Sequence, residues 1–120
     1  MPAELPIDSM LLRIFIGEGD VHAGKLLYEY IVLKAREKGL AGATVLRGPM
    51  GYGKSSRLHR STILRLSMDL PIIIEIIDSQ DKIEQFLPIL DDVLQGGLVT
   101  LEKVRAIIYR SSAKNQQMVY

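Results

Sequence analysis

Arg47-Gly48-Pro49-Met50-Gly51-Tyr52-Gly53-Lys54-Ser55-Ser56 decides the fold, because it supports two different architectures. Gly48 to Ser55 satisfies G-x-x-x-x-G-K-[ST] and follows a predicted strand, the pattern of a phosphate-cradling loop on a parallel, doubly wound sheet. Loop N–H groups would then hold phosphates, Lys54 would neutralise them and Ser55 would bind a magnesium ion. Asp78, closing an apolar strand, would be the Walker B carboxylate that also holds the metal. Such a loop must open into a helix that packs on the sheet, and residues 55–62 offer only Leu58 as an apolar anchor. The other reading is a long excursion from an antiparallel sheet.

Charge favours an excursion that meets an anion. Residues 47–68 carry Arg47, Lys54, Arg57, Arg60 and Arg65, with His59 among them and no acid. The chain has fifteen Lys+Arg and fourteen Asp+Glu, so a loop of about +5 is set on a body of about −4. Gly48, Gly51 and Gly53 let the main chain approach a partner closely. A phosphate ligand or an acidic surface fits this segregation better than a wet hairpin tip.

Working outward, residues 70–78 contain Ile72-Ile73-Ile74-Glu75-Ile76-Ile77, the strongest strand signal in the chain. Ser79 caps a helix on which Ile83, Leu87, Leu90 and Leu94 share a face, with a kink or restart predicted at Pro88. Gly96-Gly97 ends it, and residues 98–109 supply a last strand. Upstream, residues 43–47 read as a strand, residues 25–38 as a helix stopped by Gly39, and residues 10–16 as the first strand. Asp20 is predicted to cap the first helix near Val21. The order β-α-β-loop-β-α-β predicts the α+β, ferredoxin-like arrangement: a four-stranded antiparallel sheet with both helices on one face. Consecutive isoleucines point to opposite faces, so a monomer would expose an apolar patch, and the bare face is expected to be covered by other copies of the chain.

The 120 residues form one expected domain, 1–120, with 48% apolar and 24% charged residues. There is no Cys, which excludes disulfides and thiolate chemistry, and His22 and His59 lack ligand spacing, so no metal site is expected. The N-terminal residues lack the pattern of a secretory signal, and no apolar run spans a bilayer. A cytoplasmic protein without membrane insertion is expected, and a net charge of +1 argues against a general nucleic-acid binder. Ile14-Phe15-Ile16-Gly17 looks like an RNA-recognition motif, but the third strand has no aromatic for base stacking, so Phe15 is predicted to be core. Asp91 and Asp92 point in different directions on a helix, and Ser55, Ser56 and Ser61 have no base and orienter in sequence, so no catalytic residue is expected.

With these elements in hand, the chain resembles the PII-like signalling superfamily, in its uncharacterised bacterial and archaeal branch. The resemblance is carried by Leu12-Arg13-Ile14-Phe15-Ile16-Gly17-Glu18, by Gly39-Leu40-Ala41-Gly42-Ala43-Thr44-Val45, by Arg47-Gly48-Pro49-Met50-Gly51-Tyr52-Gly53 and by Asp69-Leu70-Pro71. It implies a homotrimer, and an excursion, residues 48–68, that corresponds to the T-loop by which relatives dock on transporters or enzymes. It implies further that an anionic effector, an adenine nucleotide, lies between subunits. Arg47, Gly48, Gly51, Gly53, Lys54, Gly96 and Gly97 would meet it, with Arg105 and Arg110 as basic candidates near the end of the last strand. Tyr52, Arg57, His59 and Arg60 would belong to the docking loop. The Gly96-Gly97 turn lacks the lysine-ending phosphate loop of PII proteins, and Tyr52 lacks a uridylylation context. Two alternatives stand beside this regulator: a compact P-loop nucleotide hydrolase and a ligand-free interaction module.

Overall fold

The computed structural model describes residues 5–53, 59–60 and 69–110. Its elements are β1 (Asp8–Gly17), β2 (Val21–His22), β3 (Lys25–Leu26), α1 (Leu27–Glu37), β4 (Thr44–Arg47), β5 (Met50–Gly51), β6 (His59–Arg60), β7 (Pro71–Asp78), α2 (Gln80–Val93) and β8 (Leu98–Arg105). Four strands form one sheet in the order β4-β7-β1-β8, and every pairing is antiparallel. This is the ferredoxin-like α+β fold.

Alternation along β1 and β7 sorts the two faces. Leu12, Ile14 and Ile16 lie opposite Ile76, Ile74 and Ile72, and all six are buried against the helices. Leu27, Ile31 and Ala35 of α1 close on them, as the periodicity predicts. On α2 the buried set is Ile83, Phe86, Leu90 and Val93; Leu87 and Leu94 are only half-buried at its edge. The predicted stripe is thus rotated by about one position, because Phe86 takes the central place. Ser79 caps α2 by accepting a hydrogen bond from the Lys82 N–H at 3.3 Å. The helix then runs unbroken through the exposed Pro88 rather than restarting there. α1 ends in a C-terminal motif in which the Gly39 N–H donates to Arg36 O and the Leu40 N–H to Ala35 O.

Three boundaries differ from the sequence reading. Residues 21–26 form a hairpin instead of the start of α1: Ala23 and Gly24 adopt φ of 51° and 78°, the turn that joins β2 to β3. Asp20 does not cap α1; its carboxylate accepts from the Gly17 N–H, and its backbone carbonyl accepts from the Leu27 N–H. β8 stops at Arg105 because β1, its partner, begins at Asp8.

The face away from the helices carries Phe15, Ile73, Ile77, Leu46 and Leu98 around a charged centre. Arg13 lies there between Glu75, at 2.8 Å, and Glu102, at 2.7 Å. The Glu75 carboxylate, joined by Glu102, raises the Arg13 pKa further above its ordinary value. Phe15, predicted as core, is half-buried on this second face. Residues 106–109 leave β8 and cross the sheet end toward β4, where the Tyr109 hydroxyl donates to Ala41 O at 2.6 Å.

Ile74→Ala, at a position with no exposed surface, is expected to cost about 2–5 kcal/mol in chemical denaturation. Leu33→Ala, on the outer face of α1 and 55% exposed, is expected to change stability by no more than about 0.5 kcal/mol.

Candidate functional site

Antiparallel order brings four chain ends to one edge of the sheet: the end of β1, the end of β4, the start of β7 and the start of β8. Gly17 lies opposite Pro71, Arg47 opposite Ile72 and Phe15 opposite Leu98. Both ends of the basic excursion therefore emerge beside the turn at residues 17–20.

That turn holds both ends. Its Glu18 N–H donates to Leu70 O at 2.8 Å, and its Gly19 N–H donates to the Asp69 carboxylate at 2.7 Å. Glu18 also accepts from the Arg47 guanidinium, Oε2 to Nη2, at 2.5 Å. The Gly48 N–H donates to Pro71 O at 2.8 Å, so this amide is engaged within the protein. Beyond it β5 pairs with β6, Met50 opposite Arg60 and Gly51 opposite His59, as a short hairpin. Gly51 lies so close to Pro71 that a Cβ there would sit 2.8 Å from the proline ring.

On the other side of β1, Gly97 turns the chain into β8. Its φ of 103° belongs to glycine, and a Cβ would lie 2.4 Å from Phe15 O. Gly96 has no atom near a Cβ position. Arg47, Gly48, Gly51, Gly96 and Gly97 thus share one edge of the sheet, and Tyr52 and Gly53 follow β5 and are exposed. Lys54 and Arg57 lie outside the described residues; His59 and Arg60 are placed as strand β6.

Arg105 and Arg110 lie at the other end. β8 carries the chain from Leu98 to Arg105, about 23 Å at 3.3 Å per residue. Arg105 there lines two cavities. One, of about 490 Å³, lies beneath residues 106–109 with Glu75, Ile77 and Val104 in its wall. The other, of about 430 Å³, includes Ser9, Gln80 and Lys103. A single chain therefore does not gather Arg105 with the loop base on one small ligand.

The P-loop alternative loses its architecture. The sheet is antiparallel throughout, and β6 pairs back on β5 only a few residues after Lys54. Asp78 ends β7 at the far edge, fully buried, where its carboxylate accepts from the N–H groups of Ala41 at 2.8 Å and Ser79 at 2.6 Å. It anchors the approach to β4 and the start of α2, with its carboxylate engaged by backbone N–H groups; Ser55 lies outside the described residues.

The sequence reading missed Glu18 and Asp69 as parts of the site. Only Asp69 left a signal, as the first carboxylate after the acid-free stretch; Glu18 reaches the site through the pairing of β1 with β7. At the turn that holds the excursion, Glu18, Asp20 and Asp69 gather around its two ends, and Glu18 pairs with Arg47. The root of a basic loop is locally acidic.

Fold and loop base together make an α+β domain with a long excursion between the second and third strands of its main sheet. The chain belongs to the family DUF190, described as "Uncharacterized ACR", which it matches over residues 9–106. It is 41% identical over 104 residues to a UPF0166 protein of Aquifex aeolicus (strain VF5), covering 84% of this chain and 95% of that one. It is 38% identical over 96 residues to UPF0166 protein MJ1524 of Methanocaldococcus jannaschii, covering 79% and 88%. Among solved structures it resembles CPII, a nitrogen regulatory PII-like protein from Thiomonas intermedia K12 bound to ADP, AMP and bicarbonate. The TM-score is 0.57 at 17% identity, over 82% of this chain and 88% of that one. CPII bound to ADP and bicarbonate gives a TM-score of 0.55 at 19% identity, over the same shares. At these identities the likeness concerns the fold.

Gly97→Ala is expected to lower stability by roughly 1–3 kcal/mol, since it strains the backbone and crowds β1. Gly96→Ala, beside it, is expected to stay within about 0.5 kcal/mol; thermal melts of the two variants check the contrast.

Proposed function

We propose that this protein is a PII-like regulator that works as a homotrimer and binds a small anionic effector, an adenine nucleotide, between copies of the chain. The observation that carries this reading is the division of its candidate site. The loop base, with Gly96 and Gly97, occupies one edge of the sheet, and Arg105 and Arg110 lie toward the other. A ligand that touches both groups bridges two molecules. The apolar residues on the second sheet face support self-association: Leu46, Ile77 and Leu98 are exposed there, and Ile107 and Ile108 beside them are more than two-thirds exposed. CPII, the fold relative, holds ADP in its solved structures.

In this reading Arg47, Gly48, Gly51, Gly53, Lys54, Gly96 and Gly97 of one copy meet the nucleotide, and Arg105 and Arg110 come from the next. Ligand changes the order of the excursion, and Tyr52, Arg57, His59 and Arg60 dock on a transporter or an enzyme. The protein acts in the cytoplasm as a single domain and carries out no catalysis. Among the described residues no helix is long and apolar enough to cross a membrane. The ligand-free interaction module is a second reading, favoured by Glu18, which already neutralises Arg47. It requires partner capture that is sensitive to salt and indifferent to nucleotide.

Complementation between subunits tests the shared site. Analytical ultracentrifugation is expected to show a trimer, and calorimetry to show ADP binding that Arg47→Ala and Arg105→Ala each weaken at least about tenfold, since each removes a charge-assisted contact. Trimers reassembled from equal amounts of the two variants should recover about a quarter of the sites, those that pair an intact loop base with an intact Arg105. A monomer in dilute solution, or no recovery on mixing, would overturn the shared site, and absence of heat with any adenine nucleotide would favour the interaction module.

A further inference from the structure

Arg47 closes β4 at the loop base, and its guanidinium is already held by a carboxylate of the same chain. The pair is 2.5 Å long, and the Glu18 side chain is 20% exposed. The backbone N–H of Glu18 is bound to Leu70 O, so Glu18 is carried on the turn that fixes the end of the excursion, while Arg47 marks its start. The Arg47 side chain is 53% exposed and meets Glu18 through Nη2, so an anion that reaches it competes with Glu18 for its charge, and does so next to Asp20 and Asp69, both of which accept backbone N–H groups within the same turn.

We propose that Glu18 is an internal anion on Arg47 and the specificity-determining residue of the loop base, admitting ligands with two linked anionic groups and excluding those with one. The inference rests on the effector reading above and names the ligand's recognised part, a pyrophosphate group. The physical reason is effective concentration. Glu18 is tethered beside Arg47, so a free single phosphate meets a guanidinium already neutralised, in the field of three carboxylates, and loses most of its attraction. A pyrophosphate group offsets that loss by engaging a second cation at the same time, Arg105 of a neighbouring copy in the effector reading. The same pair ties effector to loop. When Arg47 turns to the ligand, the start of the excursion loses its side-chain tie to the turn and keeps its backbone bond from the Gly48 N–H to Pro71 O.

Labelling of Arg47 by phenylglyoxal in the full-length protein, followed by peptide mass spectrometry, reads the pair directly. Glu18→Gln and Glu18→Ala are expected to raise the labelling rate of Arg47 about threefold or more over wild type, the scale of a partly exposed ion pair. Inorganic pyrophosphate should protect Arg47 in wild type, and at a several-fold lower concentration in either variant. Inorganic phosphate should protect only the variants. Equal labelling rates in all three proteins, equal protection of wild type by phosphate and pyrophosphate, or protection of wild type and variants at one concentration would each overturn the proposal. If a variant fails to fold, the contrast between phosphate and pyrophosphate in wild type still decides. Calorimetry with ADP separates the two levels. Protection by pyrophosphate without heat from ADP would sink the nucleotide reading and leave Glu18 its role. Heat from ADP with Arg47 unprotected would do the reverse.

Discussion

The register of β1 against β7 is the constraint on which the other features depend. Pairing Ile14 with Ile74 sets Leu12, Ile16, Ile72 and Ile76 on the helix face, and the same alignment places Arg13 opposite Glu75 on the other. A slip of β7 by one residue would turn Glu75 under the helices, away from Arg13, and Ile72, Ile74 and Ile76 outward. Burying that carboxylate without its partner costs several kcal/mol, and the loss of three core isoleucines is only partly offset by Ile73 and Ile77 turning inward. One alignment satisfies both faces. It also sets Gly17 opposite Pro71, so the turn after β1 meets the segment leading into β7.

From that meeting comes the electrostatic character of the loop base. Along the chain the excursion is purely basic and the acids lie elsewhere. In space, antiparallel pairing returns Glu18, Asp20 and Asp69 to its root, where two of them serve the turn's own backbone and the third holds Arg47. Carboxylates placed there keep the ends of the excursion together with hydrogen bonds that a neutral turn would lack. They also reduce the positive potential at the point where an anion would enter. A basic loop on an acidic root is suited to a response that depends on which anion arrives, because the resting state is already neutralised from within.

Much of this fold was legible residue by residue. The isoleucine run of β7, the Ser79 cap, the Gly39 stop and the α1 stripe of Leu27, Ile31 and Ala35 all follow from local propensity and periodicity, and each lies where it was read. The misreadings have one cause. The hairpin at residues 21–26 has strands of two residues each, too short for an alternation to register. Phe86 and Val93 displaced Leu87 and Leu94 from the core because the two stripes overlap on α2, and only the sheet beneath chooses between them. Phe15 is apolar in a strand that turns Leu12, Ile14 and Ile16 to the helices, and it falls on the other face.

By itself the amino-acid order determined the type and succession of the elements, the segregation of charge into one excursion and the absence of thiol chemistry. These depend on the identity of near neighbours, and near neighbours are what a linear string records. Tertiary structure alone decided which glycines and cations stand together. It gathered Arg47, Gly48 and Gly97 at one edge, sent Arg105 and Asp78 to the other, and brought Glu18 across to Arg47 from twenty-nine positions away. Strand direction and register produce those distances, and neither is a property of any short stretch of chain.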